Sequence, residues 1–79
     1  MKANEIMRDI MKNQNVGLSK LADRMQKSVR LVSDRLRMEN ISTDKLIEIL
    51  RYLDYDLVIM PRGKAGRIDG AYIVDGEEK

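Results

Sequence analysis

Arg30, Ser33, Asp34 and Arg37 recur at i, i+3, i+4 and i+7, a spacing that sets four side chains on one face of an α-helix. Their shared chemistry is hydrogen bonding. A guanidinium donates two parallel hydrogen bonds, a hydroxyl donates and accepts, and a carboxylate only accepts. Val29, Val32 and Leu36, with Leu31 beside them, form the apolar back of the same segment. A short helix with an apolar back and a hydrogen-bonding front suits the major groove of duplex DNA, where each base pair presents its own donor and acceptor pattern. Arg30 is the central candidate. Its fork matches O6 and N7 of guanine, a contact worth roughly 1–3 kcal/mol of discrimination.

Asp34 fits that face less easily, because phosphates repel a carboxylate. It either accepts from a cytosine amino group or pairs with Arg30 or Arg37, four residues before and three after it. The surface ion pair, worth a few tenths of a kcal/mol, is the expectation. Ser28 is first of all a helix cap, with a hydroxyl that can also touch phosphate. Ser33 suits a wet helix face or a groove equally.

Positioning such a face requires a compact helical frame. Leu18, Leu21, Ala22 and Met25 give one apolar stripe, opened by Gly17 as N-cap. Gln26 and Lys27 form a tight turn, Ser28 caps the next helix, and that helix runs over 29–38 until Glu39 and Asn40 close it. Upstream, Ala3, Ile6, Met7, Ile10 and Met11 predict a first helix over 3–13, ended by Asn13, Gln14 and Asn15. Downstream, Ser42 caps a fourth helix with Asp44 in its first turn, and Ile41 and Leu46 stand at hydrophobic-staple spacing. Its buried stripe is Leu46, Ile49, Leu50 and Leu53, with Ile47 flanking. Met7, Met11 and Met25 are core filler, and Tyr52 and Tyr55 are expected at the seam between the fourth helix and the C-terminal segment.

The pattern then changes. Leu57, Val58, Ile59 and Met60 are a consecutive apolar run stopped by Pro61, a strand signal, and residues 71–74 read as a returning strand that Ile68 could extend. Residues 62–67 form a polar loop with two glycines. Its Arg62, Lys64 and Arg67 make either a soluble turn or a wing toward phosphate. Residues 76–79 are expected to fray. Continuous rather than alternating apolarity calls for cover on both faces of the hairpin. The helices can supply one cover and a second copy of the chain the other, since two-stranded sheets are marginal alone. Val58, Met60, Tyr72, Ile73 and Val74 are therefore the expected homodimer interface. The expected fold is α+β and mostly α: one domain over 1–79, with a four-helix body over 3–55 and a C-terminal β-hairpin over 56–75.

Composition narrows the function classes. The 79 residues include no His and no Cys, so zinc sites, thiol chemistry and His-based acid–base catalysis are not expected. Neither a Gly-rich phosphate loop nor a nucleophile–base pair is brought together by the sequence, and no enzyme, metal or cofactor is expected. No apolar run approaches the roughly 20 residues of a membrane span and no signal-peptide pattern opens the chain, so a cytoplasmic location without membrane contact is expected. The formal charge of +2 is unevenly spread. Residues 1–40 hold nine Lys/Arg against five acids, whereas residues 41–79 hold six against eight. The helix pair lies in the basic half, which favours a polyanionic partner.

The run Val16-Gly17-Leu18-Ser19-Lys20-Leu21-Ala22-Asp23-Arg24-Met25, then Ser28-Val29-Arg30-Leu31-Val32-Ser33, resembles the Cro/C1-type (Xre) helix-turn-helix regulators of phages and bacteria. Asn40-Ile41-Ser42 leading into Asp44-Lys45-Leu46-Ile47 extends the likeness, which covers about residues 3–55. The resemblance implies that the third helix enters the major groove while the start of the second meets the phosphate backbone. By position, Ser28, Val29, Arg30, Ser33 and Asp34 would face bases. Leu18, Ser19 and Lys20 would meet the backbone, with Lys27 and Arg37 as further cations for it. Two positions depart from the family. Gln26 stands where glycine usually takes a left-handed conformation, and Lys27 where an apolar residue is frequent. The resemblance implies a DNA-binding transcriptional regulator acting as a homodimer on a short inverted repeat of double-stranded DNA. The alternatives are an antitoxin that also binds a toxin protein, or an interaction module of the same fold that has lost DNA binding.

Overall fold

The computed structural model of the chain describes residues 2–62 and 72–74. Four helices precede a small antiparallel sheet: α1 (Ala3–Gln14), α2 (Leu18–Met25), α3 (Val29–Arg37), α4 (Thr43–Arg51), β1 (Leu57–Ile59) and β2 (Tyr72–Val74). The fold is thus mostly helical, with a minor β component. None of its described helices is long and apolar enough to cross a membrane.

The helix starts obey the sequence signals. Ser28 and Ser42 each accept a hydrogen bond at Oγ, from the Leu31 and Lys45 amides at 3.1 and 3.4 Å. Gly17 opens α2 without a side-chain cap. The turns after α1, α2 and α4 share one device, whereas α3 ends at an extended Met38. Asn15, Gln26 and Asp54 are left-handed, with φ of 60°, 57° and 62°. In each case the next amide donates to the carbonyl five residues back: Val16 to Met11, Lys27 to Ala22 and Tyr55 to Leu50, at 2.8, 3.1 and 2.9 Å. This closure satisfies carbonyls that a helix end leaves open. All three positions lack glycine, so each tolerates some left-handed strain, roughly 1–2 kcal/mol for an ordinary side chain.

All four helices contribute to one core. Met7, Leu21, Val32, Ile49 and Leu53 are fully buried at its centre, around which Ile10, Met11, Ala22, Met25 and Leu36 close. Leu18, Ile41, Leu46 and Leu57 pack against it partly buried. The α4 stripe is shifted from the one the spacing implies, since Ile47 is buried and Leu46 only half-buried. Three expectations need correction. Ile6 is exposed rather than part of the α1 core stripe, and Tyr52 and Tyr55 are exposed rather than sealed at the seam with the hairpin. Long polar side chains tie the helices across their ends. The Arg8 guanidinium donates to the Leu36 carbonyl through Nε and Nη2 (3.4 Å each), Arg24 Nη1 donates to the Tyr52 carbonyl (3.3 Å), and Gln14 Nε2 donates to the Leu53 carbonyl (2.7 Å).

β1 and β2 pair Leu57 with Val74, Val58 with Ile73 and Ile59 with Tyr72. Residues directly opposite share a face, and so do alternate residues along a strand. One face therefore carries Leu57, Val74, Ile59 and Tyr72, and the other Val58 and Ile73. The helices cover less of this sheet than the apolar run suggests: Leu57 reaches the core and Val74 is half-buried, while Ile59 and Tyr72 on the same face are exposed. Residue 71, Ile68, Lys64, Arg67 and the 76–79 tail lie outside the described residues.

Candidate nucleic-acid interface

α3 turns Val32 and Leu36 into the core, and this anchoring decides where its other side chains point. Arg30, Asp34 and Arg37 lie on the outward side and are exposed. Ser33 does not join them. It is half-buried and lines, with Leu18, Arg8, Met11 and Val16, an open groove of about 280 Å³. The front deduced from spacing is therefore narrower by one residue, because 100° per residue carries Ser33 toward α1 and the start of α2. The apolar back is narrower as well. Val29 and Leu31 are 44% and 39% exposed, so they belong to the outward surface of the first turn and not to the core. For Val29 this agrees with a base-facing position. For Leu31 it adds an exposed residue that spacing alone assigns to the back.

The charges on this face sort into paired and unpaired groups. Arg37 Nη2 lies 2.7 Å from Asp34 Oδ1, and both side chains are exposed. The Asp34 carboxylate thus has its neutralising partner on its own helix, three residues away, a geometry worth a few tenths of a kcal/mol. Arg30 has no ion pair or side-chain hydrogen bond among the described residues. Ser28, at the same end of α3, uses its oxygen as the cap acceptor and keeps its proton free to donate.

The start of α2 is open. With no side-chain cap at Gly17, the amides of Leu18, Ser19 and Lys20 have no side-chain acceptor. Ser19 and Lys20 are exposed, whereas the Leu18 side chain packs on the core, leaving its amide as the polar group it can offer. The groove that Leu18 shares with Ser33 sets this helix start beside the middle of α3. Such an end attracts anions through its partial positive charge.

Lys27, like Arg37, is held in an ion pair, but with a partner on another helix. Its Nζ lies 3.8 Å from Glu48 Oε2, and the other carboxylate oxygen of Glu48 receives Arg35 Nη1 at 2.8 Å. One carboxylate on α4 therefore holds both the α2–α3 turn and the flank of α3, with the Arg35 side chain only 14% exposed. Glu48 is not legible in the sequence as a site residue. It carries no local motif, and only the packing of α4 brings it to Lys27 and Arg35.

Among the hairpin residues, Val58, Tyr72 and Ile73 are exposed, and Met60 and Val74 are half-buried. Arg62 is exposed. Among the described residues, no group of three or more acidic or other ligating side chains could hold a metal ion. No protein-family model, curated protein or solved structure matches the chain.

Proposed function

We propose that this chain is a sequence-specific DNA-binding regulator of transcription. α3 enters the major groove and the start of α2 docks on the phosphate backbone, in the manner of the Cro/C1-type proteins that the sequence resembles. The observation that carries this reading is the state of Arg30: an exposed guanidinium without a partner among the described residues, on the outward face of a helix whose opposite face is locked into the core. Asp34 does not oppose it, since Arg37 already neutralises that carboxylate. Ser19 and Lys20, with the free amides of the first turn of α2, supply phosphate contacts. Two copies joined through their hairpins would present two α3 helices about 34 Å apart, matching half-sites roughly 10 base pairs apart in an inverted repeat.

A mobility-shift titration of the dimer with specific and random duplexes at two salt concentrations tests the reading. Arg30→Ala is expected to reduce the preference for the specific duplex by roughly ten- to hundredfold. Lys20→Ala is expected to weaken both duplexes alike and to lower the salt slope by about one. Equal losses on both duplexes for Arg30→Ala would remove it as a base reader. Failure of the unaltered chain to retard any duplex at low salt would overturn DNA binding itself.

A further inference from the structure

We propose that the first turn of α3 recognises the C5 methyl group of thymine, with Val29 and Leu31 making apolar contact on either side of the base that Arg30 addresses. The inference rests on the proposed DNA-reading role and goes beyond it by naming the chemical group that is read. α3 buries only Val32 and Leu36, yet two further branched apolar side chains stand exposed in its opening turn. They flank Arg30 directly in sequence, so the exposed surface there alternates apolar, cationic and apolar groups. Leu31 and Met38 form the apolar part of an open hollow of about 370 Å³ bordered by Ser28, Arg30, Asp34, Arg35 and Lys45. Three cations outnumber the one carboxylate of this rim, which Arg37 already pairs, and such a rim around apolar side chains suits a surface that is anionic at its edges and carries a small apolar group inside.

The major groove offers one such group. Of the four bases only thymine presents a methyl there, beside edges that otherwise show hydrogen-bond donors and acceptors. Base pairs along a strand are about 3.4 Å apart and one helical turn rises about 5.4 Å. The neighbours of Arg30 in a turn that enters end-on therefore reach the base steps adjoining its own. Val29, Arg30 and Leu31 together specify a guanine with thymine next to it. Burying one methyl group corresponds to about a fourfold gain in affinity.

The experiment first enriches a preferred duplex from a random pool with the full chain. It then replaces each thymine singly by deoxyuridine, which removes the methyl and leaves every hydrogen-bonding group. Fluorescence anisotropy is expected to show about a fourfold loss at one or two thymines adjoining the base pair whose preference Arg30→Ala relaxes. Val29→Ala or Leu31→Ala is expected to bind the thymine duplex more weakly and to be indifferent to deoxyuridine at the matching position. Both variants place the best helix former at an exposed site, and circular dichroism checks that they fold. A preferred duplex that tolerates deoxyuridine throughout overturns the methyl contact and leaves base reading by Arg30 standing, as does a sensitivity that both variants retain. A pool that enriches for no sequence overturns base reading, and the methyl contact with it.

Discussion

Met7 and Leu53, far apart in the sequence, share one sealed interior, whereas Ile59 and Tyr72, paired across the hairpin, stand 62% and 69% exposed. The residue types are alike, and their surroundings differ because of geometry. A helix concentrates its apolar residues into a stripe, and four stripes can close on one another within a single short chain. A two-stranded ribbon shows apolar residues on both faces, and among the described residues the four-helix core meets it at Leu57. The body is complete in one copy. The hairpin holds apolar surface that the described residues of one copy do not cover, which is what the proposed homodimer would use.

The sharpest way to break this comparison is to damage each region in turn. Leu21→Ala empties a fully buried position and is expected to cost about 2–5 kcal/mol, a large share of the stability of so small a domain. Urea unfolding would show the chain largely unfolded or shifted to a much lower midpoint. Ile73→Lys is expected to leave the unfolding free energy within about 0.5 kcal/mol when measured at dilutions where the chain is monomeric. Should it unfold the chain as deeply as Leu21→Ala, the hairpin belongs to the body and the contrast disappears.

In assembly the order of effects reverses. Ile73→Lys or Val58→Lys buries a charge in the expected dimer and should give a monomer by light scattering at tens of micromolar. It should also lower operator affinity on the order of a hundredfold, because each half-site then binds alone. An unaltered chain that is already monomeric under those conditions would remove the hairpin from the interface and the inverted repeat from the operator.

A smaller change sharpens the comparison from within the body. Gln26→Gly relieves a left-handed side chain at the α2–α3 turn and is expected to raise the unfolding free energy by up to about 1 kcal/mol, with no change in dimerisation. A loss of stability there would mean that the Gln26 side chain makes contacts outweighing its backbone strain.

The helices are legible in the sequence because cap residues and the 3.6-residue period act locally. Gly17, Ser28 and Ser42 begin helices where their chemistry demands, and Gln26 is left-handed where the resemblance to the Cro/C1-type proteins implies that conformation. What stays hidden depends on partners distant in the chain. Spacing alone groups Ser33 with Arg30 and places Leu31 on the apolar back. The depth to which Val32 and Leu36 sink into the core decides both questions, and that depth is set by α1, α2 and α4. Lys27 is a free cation for phosphate in the sequence, but in the fold α4 brings Glu48 to it. The consecutive apolar run anticipates one hairpin face that the helices cover and one left for a second copy. It does not reveal the small extent of helix cover, since no local signal says how far a strand overhangs its body.

The hydrogen bonds that Arg8, Gln14 and Arg24 donate to carbonyls near the ends of α3 and α4 have a kinetic consequence. Each acceptor is satisfied by a side chain from an earlier helix, so releasing an end of α3 or α4 also breaks a bond to α1 or α2. Fraying, normally the cheapest local motion of a short helix, costs about 0.5–1.5 kcal/mol more here. Amide protons in the last turns of α3 and α4 should therefore exchange with solvent deuterium about two- to tenfold faster once Arg8 or Arg24 is replaced by alanine.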